Sequence, residues 1–266
     1  MGGFLLGKHK FWGTLIMRIN IKSGTSVGKI RDHNEDNYIT LTAHENKIPF
    51  DALLVVADGM GGHAAGEVAS RLTIEKIIEA IKSLSEEDRS LEGNEFGAFL
   101  TSMLKDVNSQ VWEAGQEPIH RGMGTTCTLA AIRETQLFLS QVGDSRAYLL
   151  RAGDLHQLTT DHSWVEEAVA QGMLTSEQAR VHPNRNVITR AIGIHPTVEV
   201  DTTAMPIQEG DILLICSDGL NSMIDDDQIK TILKSNQIDE VCEVLIEGAN
   251  DSGGHDNTTV IVAVLE

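Results

Sequence analysis

Hydrophobic and polar positions along the chain follow two periods, and the changeovers fall at turn-forming residues. Apolar and polar residues alternate roughly over 17–27, and 38–41 is rich in β-forming types, so both segments predict strands. Residues 52–57 read ALLVVA, a continuous apolar run that predicts a strand buried on both faces. After a glycine-rich turn, 67–84 carries Val68, Leu72, Ile77, Ile78, Ile81 and Leu84 at helical spacing. Residues 85–95 are charged and read as a loop. The helical pattern returns over 96–114 with Phe96, Leu100, Met103, Leu104, Val107 and Val111.

Strands are predicted over 125–132, 136–142 and 145–151, joined by tight turns. Residues 161–190 break this rhythm: they are polar, helix-prone and poor in aliphatics, an excursion from the core. Strands resume over 198–204 and 211–216, helices follow over 225–234 and 238–249, and 258–265 is a last alternating strand. This order is not a regular βαβ alternation, so an α+β layer architecture is favoured over a doubly wound sheet. Without repeats or low-complexity tracts, 17–266 reads as one domain. Residues 1–16 read as an N-terminal extension, disordered or a start-site artefact. Lys8, His9 and Lys10 interrupt its apolar stretches and no cleavage site follows, so no signal peptide is read.

Charge narrows the partners. Thirty-nine acidic residues against twenty-one basic give a net charge of −18, which argues against nucleic acid or an anionic membrane surface as a direct partner. The apolar runs are too short to span a bilayer. Cys127, Cys216 and Cys242 are widely spaced and suggest neither a zinc site nor a disulfide framework, pointing to a reducing, cytoplasmic compartment.

Several acidic residues stand at the ends of apolar strands: Asp58 after ALLVVA, Asp144 after FLSQVG, Asp218 after ILLICS, and Asp256 before TTVIVAV. Asp–Gly pairs are common turn residues, which accounts for one such position better than for all of them. Converging carboxylates repel and call for a cation. An all-oxygen donor set selects Mg2+ or Mn2+ over zinc or copper. Two such ions can share a water and aim it at phosphorus, so the pattern points to phosphoester hydrolysis. The stretch GMGGHA (59–64) also matches the loose dinucleotide pattern G-x-G-x-x-A. Its context fails, because an Asp precedes it and the helix after it leads to another helix rather than to a parallel strand.

The ordered motifs RDHNEDN (31–37), VVADGMGGHAAGEVAS (55–70), GMGTTCTLA (122–130), VGDSRAYLLR (142–151), LTTDHS (158–163), CSDGL (216–220) and HDNTTVIV (255–262) resemble those of the metal-dependent protein phosphatases of type 2C, bacterial branch. The resemblance runs from about residue 23 to 265. It implies a four-layer α-β-β-α sandwich of two mainly antiparallel sheets flanked by helices. It also implies a serine/threonine phosphoprotein phosphatase that attacks directly with a hydroxide bridging two Mn2+ or Mg2+ ions. By the same resemblance Asp58 bridges the ions, Asp218 and Asp256 complete one, and Glu35 with the carbonyl of Gly59 holds the other. Asp144 with Asp218 resembles the site of a weaker third ion. Asp36 orders metal-bound waters, Arg31 clamps the phosphate, and 161–190 matches the flap beside the active site. The implied partners are phosphoproteins, including targets of a partner Ser/Thr kinase, acted on by a monomer.

Three positions keep two readings. His63 is nominated as the general acid, since Gly61 and Gly62 give its loop freedom to swing, yet it equally reads as a helix-start residue. Arg31 also reads as an ion-pair partner of Asp32 or Glu35. Trp164 reads as a packing anchor or as a substrate contact. A competing class, a catalytically weak pseudophosphatase or scaffold on the same fold, would be expected to have lost a metal carboxylate. A two-metal hydrolase of small phosphoesters is a third class.

Overall fold

The computed structural model describes residues 17–46, 48–61 and 64–266. The extension at 1–16 and His63 therefore lie outside the described residues. In chain order the elements begin with β1 (Ile19–Ser26), β2 (Asp36–Thr42), α1 (Ala43–Asn46), β3 (Ala52–Met60), α2 (Ala64–Lys82), α3 (Glu86–Ser90) and α4 (Gly93–Ala114). Next come β4 (Gly124–Thr125), β5 (Cys127–Arg133), β6 (Gln136–Val142), β7 (Arg146–Arg151), β8 (Asp154–Gln157), α5 (Trp164–Ala170) and α6 (Ser176–Arg180). The chain closes with β9 (Asp201–Pro206), β10 (Ile212–Cys216), α7 (Asp218–Asn221), α8 (Asp226–Ser235), α9 (Ile238–Asp251) and β11 (Thr258–Leu265).

The strands build two sheets, ordered β1-β11-β10-β7-β8 and β2-β3-β5-β6-β9, with β4 beside β3. Every pairing between these strands is antiparallel. Successive side chains of a strand point to opposite faces, and this sorts the core into three packed regions. Leu53, Val55 and Ala57 of β3 pack with the apolar stripes of α2 and α4, while Ala52, Leu54 and Val56 pack against the other sheet. On β10, Leu213 and Ile215 face that inter-sheet core, and Leu214 and Cys216 face α8 and α9. The order of layers is thus helices, sheet, sheet, helices.

Four local departures from the sequence pattern have physical causes. A helix, α3, forms inside the charged stretch expected to be a loop. Its capping box closes it: Asp88 N–H donates to Ser85 Oγ (3.1 Å), and Ser85 N–H donates to Asp88 Oδ2 (3.0 Å). Strand β3 runs on past the apolar residues because Gly59 and Met60 pair with Thr125 and Gly124. Strand β8 has one apolar residue, Leu155, and owes its order to the ladder with β7. Strand β9 starts at Asp201 rather than at 198, because Asp201 already pairs with Gln141, at the end of β6.

The 161–190 excursion carries α5 and α6 and is pinched at its root. Ser163 and Ile188 form a β-bridge, Trp164 N–H donates to the Val187 carbonyl (2.8 Å), and Thr189 N–H donates to the His162 carbonyl (2.8 Å). Trp164 stacks on His182, ring centroids 4.8 Å apart and planes 27° apart, a packing contact inside the excursion.

Candidate active site

Because the strands alternate in direction, the end of one lies beside the start of its neighbour, and motifs far apart in sequence gather at one end of the sandwich. The end of β3, the start of β2, the β6–β7 turn, the end of β10 and the start of β11 bring Asp58, Asp36, Asp144, Asp218 and Asp256 together. The β2–β3 register sets Asp36 directly across from Asp58.

Backbone contacts hold each carboxylate's segment. Asp58 N–H donates to Thr126 Oγ1 (2.9 Å), and its carbonyl accepts from Thr125 Oγ1 and Thr126 N–H (both 2.8 Å). Ser217 Oγ donates to Asp36 Oδ2 (2.8 Å) and accepts from Thr259 N–H (2.9 Å), stitching β2 to the end of β10 and to β11 in the other sheet. Asn257 Nδ2 donates to the carbonyls of Val27 and His33 (both 2.9 Å), and its Oδ1 accepts from Glu35 N–H (2.8 Å), which pins the loop bearing Arg31 and Glu35. Ser217, Asn257 and Thr126 were given no role in the sequence. The available signal was their place beside an acidic residue in CSDGL and HDN, and in the GTT step of β4.

Gly59 and Gly66 serve close packing of α2 on β3. A Cβ on Gly59 would lie 2.3 Å from the Gly66 carbonyl oxygen, and one on Gly66 would lie 3.0 Å from Glu35 Oε1. Glu35 therefore rests against the first turn of α2, where the helix dipole favours an anion. Gly59 N–H donates to the Glu35 carbonyl (3.2 Å).

Burial and mutual repulsion dominate the electrostatics. Burial, then the charges of Asp36, Asp218, Asp144 and Asp256, push Asp58 well above the usual carboxylate range. Burial raises Asp36 to about 7 against the hydrogen bond from Ser217. Burial, then Asp218 and Asp161, raise Asp144 to about 8. Asp218 rises to about 6, by burial and then by Asp256. Asp36 Oδ1 and Asp144 Oδ1 are buried with no hydrogen-bond partner among the described residues. As the side chains stand, no three His, Cys, Asp or Glu among the described residues form a group that could hold a metal ion. Arg31 Nη2 instead bonds Asp256 Oδ2 at 2.6 Å. That pair is neither of the ion-pair alternatives weighed for Arg31. In charge and donor chemistry the cluster nonetheless fits hard divalent cations: it is all oxygen, crowded, and carries buried oxygens that nothing else satisfies.

Arg146 of the GDSR motif is likewise engaged by an acid. Its Nε and Nη2 clasp Asp161 (2.9 and 2.7 Å), and its Nη1 donates to Tyr148 Oη (2.9 Å), tying β7 to the root of the excursion. A groove of about 570 Å³ opens beside Asp144 and Asp218, walled by Arg180 and Arg185 on one side and Asp225 and Asp226 on another. Asp225 caps α8 and Asp226 lies in its first turn, where the helix dipole favours an anion. All three cysteines are free and buried, away from any nucleophile role.

Residues 24–245 match the family model described as protein phosphatase 2C. The chain is similar to the serine/threonine phosphatase stp of Listeria welshimeri, 41% identical over 240 residues that cover 90% of this chain and 92% of that one. Among solved structures it resembles the S. agalactiae serine/threonine phosphatase, with a TM-score of 0.86 and 35% identity over 94% of this chain and all (100%) of that one. It also resembles the catalytic domain of the serine/threonine protein phosphatase PstP in complex with two manganese ions, TM-score 0.79 and 35% identity over 94% of this chain and 99% of that one.

Proposed function

The chain belongs to the protein phosphatase 2C family, and on that premise we propose how its cleft residues share the hydrolysis of phosphoserine and phosphothreonine esters. The protein is a metal-dependent serine/threonine phosphatase of phosphoproteins, working with Mn2+ or Mg2+. The observation that carries this reading is the set of buried strand-end carboxylates whose raised pKa values come from burial and from one another.

Asp58 would lie between the two ions, Asp218 and Asp256 would hold one, and Glu35 with the Gly59 carbonyl the other. Asp144 would join Asp218 at a weaker third. When bound, the ions acidify a water and neutralise charge on the phosphoryl group. Arg31 would turn from Asp256 to two phosphate oxygens, a match its planar guanidinium is shaped for. Asp36, fixed on one oxygen by Ser217, would use the other to order metal-bound waters. His63 is nominated to protonate the leaving alkoxide. The domain is taken as 17–266, with 161–190 as a flap beside the groove. The scaffold reading lacks its expected signature, since Glu35, Asp58, Asp144, Asp218 and Asp256 are all present.

A cytoplasmic monomer that reverses the work of a partner Ser/Thr kinase completes the proposal. The free buried cysteines support the reducing compartment of that reading, and no helix among the described residues is long and apolar enough to cross a membrane. The test is hydrolysis of a phosphothreonine peptide and a phosphotyrosine peptide side by side, with Mn2+, with Mg2+ and with EDTA. Turnover of the phosphothreonine peptide that needs metal supports the reading. Preference for phosphotyrosine, or full activity in EDTA, overturns it.

A further inference from the structure

His162 was given no role in the sequence, yet it is among the most enclosed polar side chains near the cleft, with 1% of its side chain exposed. Its Nδ1 accepts from Gly143 N–H (3.0 Å), and the His162 backbone N–H donates to the Gly143 carbonyl (3.0 Å). Gly143 immediately precedes Asp144. The turn is one only glycine fits: φ is +109°, and a Cβ would lie 2.6 Å from Thr126 Cβ. On the far side of the ring, His162 Nε2 lies 3.1 Å from Asp201 Oδ2. Asp201 Oδ1 in turn accepts from Arg190 Nη1 (2.9 Å), where the flap returns to the core.

We propose that His162 is a positioning residue for Asp144, locking the turn at Gly143 through Nδ1 and tying that turn to the flap's return at Arg190 through Asp201. An Nδ1 that accepts a backbone N–H carries no proton, so the Nε2 proton must point to Asp201. Asp201 thereby fixes both the tautomer and the plane of the ring. Burial lowers the His162 pKa, which favours this neutral form. The turn next to Asp144 is thus gripped from outside the carboxylate cluster, as outer partners orient ligand carboxylates elsewhere. The inference rests on the reading that Asp144 shares a weaker ion with Asp218.

The test is Mn2+ titration calorimetry on the full chain, with hydrogen exchange at the Gly143 amide as a second readout. The asparagine of His162→Asn places its carbonyl oxygen near the position of Nδ1 and can still accept from Gly143. The longer side chain of His162→Gln reaches the position of Nε2 and leaves that N–H bare. His162→Gln is expected to weaken the weakest class of bound Mn2+ roughly 10- to 100-fold, to spare the tighter classes, and to speed exchange at Gly143. His162→Asn should restore both in large part, since it keeps the grip on Gly143 and loses only the contact with Asp201. Asp144→Asn is the control for the underlying reading. If it leaves every class of binding unchanged, that reading fails whatever His162 does. If it removes the weak class while His162→Gln matches the unsubstituted protein, the proposal alone fails. Equal weakening of all classes by His162→Gln makes the residue merely structural and also overturns it. Should His162→Gln not fold, Asp201→Ala decides, since that carboxylate is half-exposed and its loss frees the ring. A weaker third class there supports the proposal, and an unchanged one overturns it.

Discussion

Asp36 and Asp58 stand directly opposite each other across the β2–β3 ladder, on the same face of the sheet. Like charges so placed destabilise a strand pair, and here they are buried as well. In the metal-free protein this cost depends on pH. Asp218, Asp36 and Asp144 are raised to about 6, 7 and 8, all above the unfolded value of about 3.9. Between the unfolded and folded values the native chain binds more protons than the unfolded chain, so stability falls as pH rises. It is fully present below about pH 4 and lost as pH climbs through roughly 6 to 8. In EDTA, scanning calorimetry should therefore give a lower Tm at about pH 8 than at about pH 5.5. Saturating Mn2+ should raise the Tm at about pH 8, because it binds the native state alone. A metal-free Tm that increases over this range would count against the account.

Trp164 stacks on His182 and so holds α5 against the segment after α6, within the proposed flap. Trp164→Ala should loosen the flap by local opening. It should lower kcat/KM for a phosphopeptide several-fold while leaving an aryl phosphate nearly untouched. Equal losses on both substrates would refute this.

Thiol chemistry should be absent. Burial pushes Cys127 and Cys216 up to about 12 and Cys242 up to about 11, leaving no thiolate near neutral pH. Iodoacetamide on the native enzyme should leave turnover intact. Rapid inactivation before unfolding would point to a cysteine nucleophile.

The layer order was legible because apolar periods at 52–57, 67–84 and 258–265 state which face is buried. Elements without an apolar period were not: α3 depends on a Ser85 and Asp88 cap, and β8 on its ladder with β7. The cleft divides in the same way. Asp58, Asp144, Asp218 and Asp256 announce themselves as charges at the ends of apolar runs. Ser217, Asn257 and His162 act through hydrogen bonds to residues up to 230 positions away, and no local pattern encodes such partners. The Arg31 contact with Asp256 is equally long-range, 225 positions apart, and local spacing favoured nearer acids.

His63 is tested by leaving-group chemistry. A phosphoserine ester expels a strongly basic alkoxide and needs a proton, whereas an aryl phosphate needs little help. His63→Ala should slow phosphoserine peptides by roughly 10²-fold and leave aryl phosphate hydrolysis nearly unchanged. Equal slowing of both would assign the residue a structural role.

The carboxylate cluster at the end of the sandwich is proposed to hold divalent cations for phosphoester hydrolysis. Asp58→Asn is the sharpest probe of that reading, because one substitution removes a charge from the crowded centre and little volume. Turnover of a phosphothreonine peptide at saturating Mn2+ should be measured beside the Tm of the metal-free protein. The kcat should fall by several orders of magnitude while the metal-free Tm rises, since the asparagine relieves the repulsion with Asp36 and Asp218. Near-normal turnover together with a metal-free Tm that drops would rule the reading out.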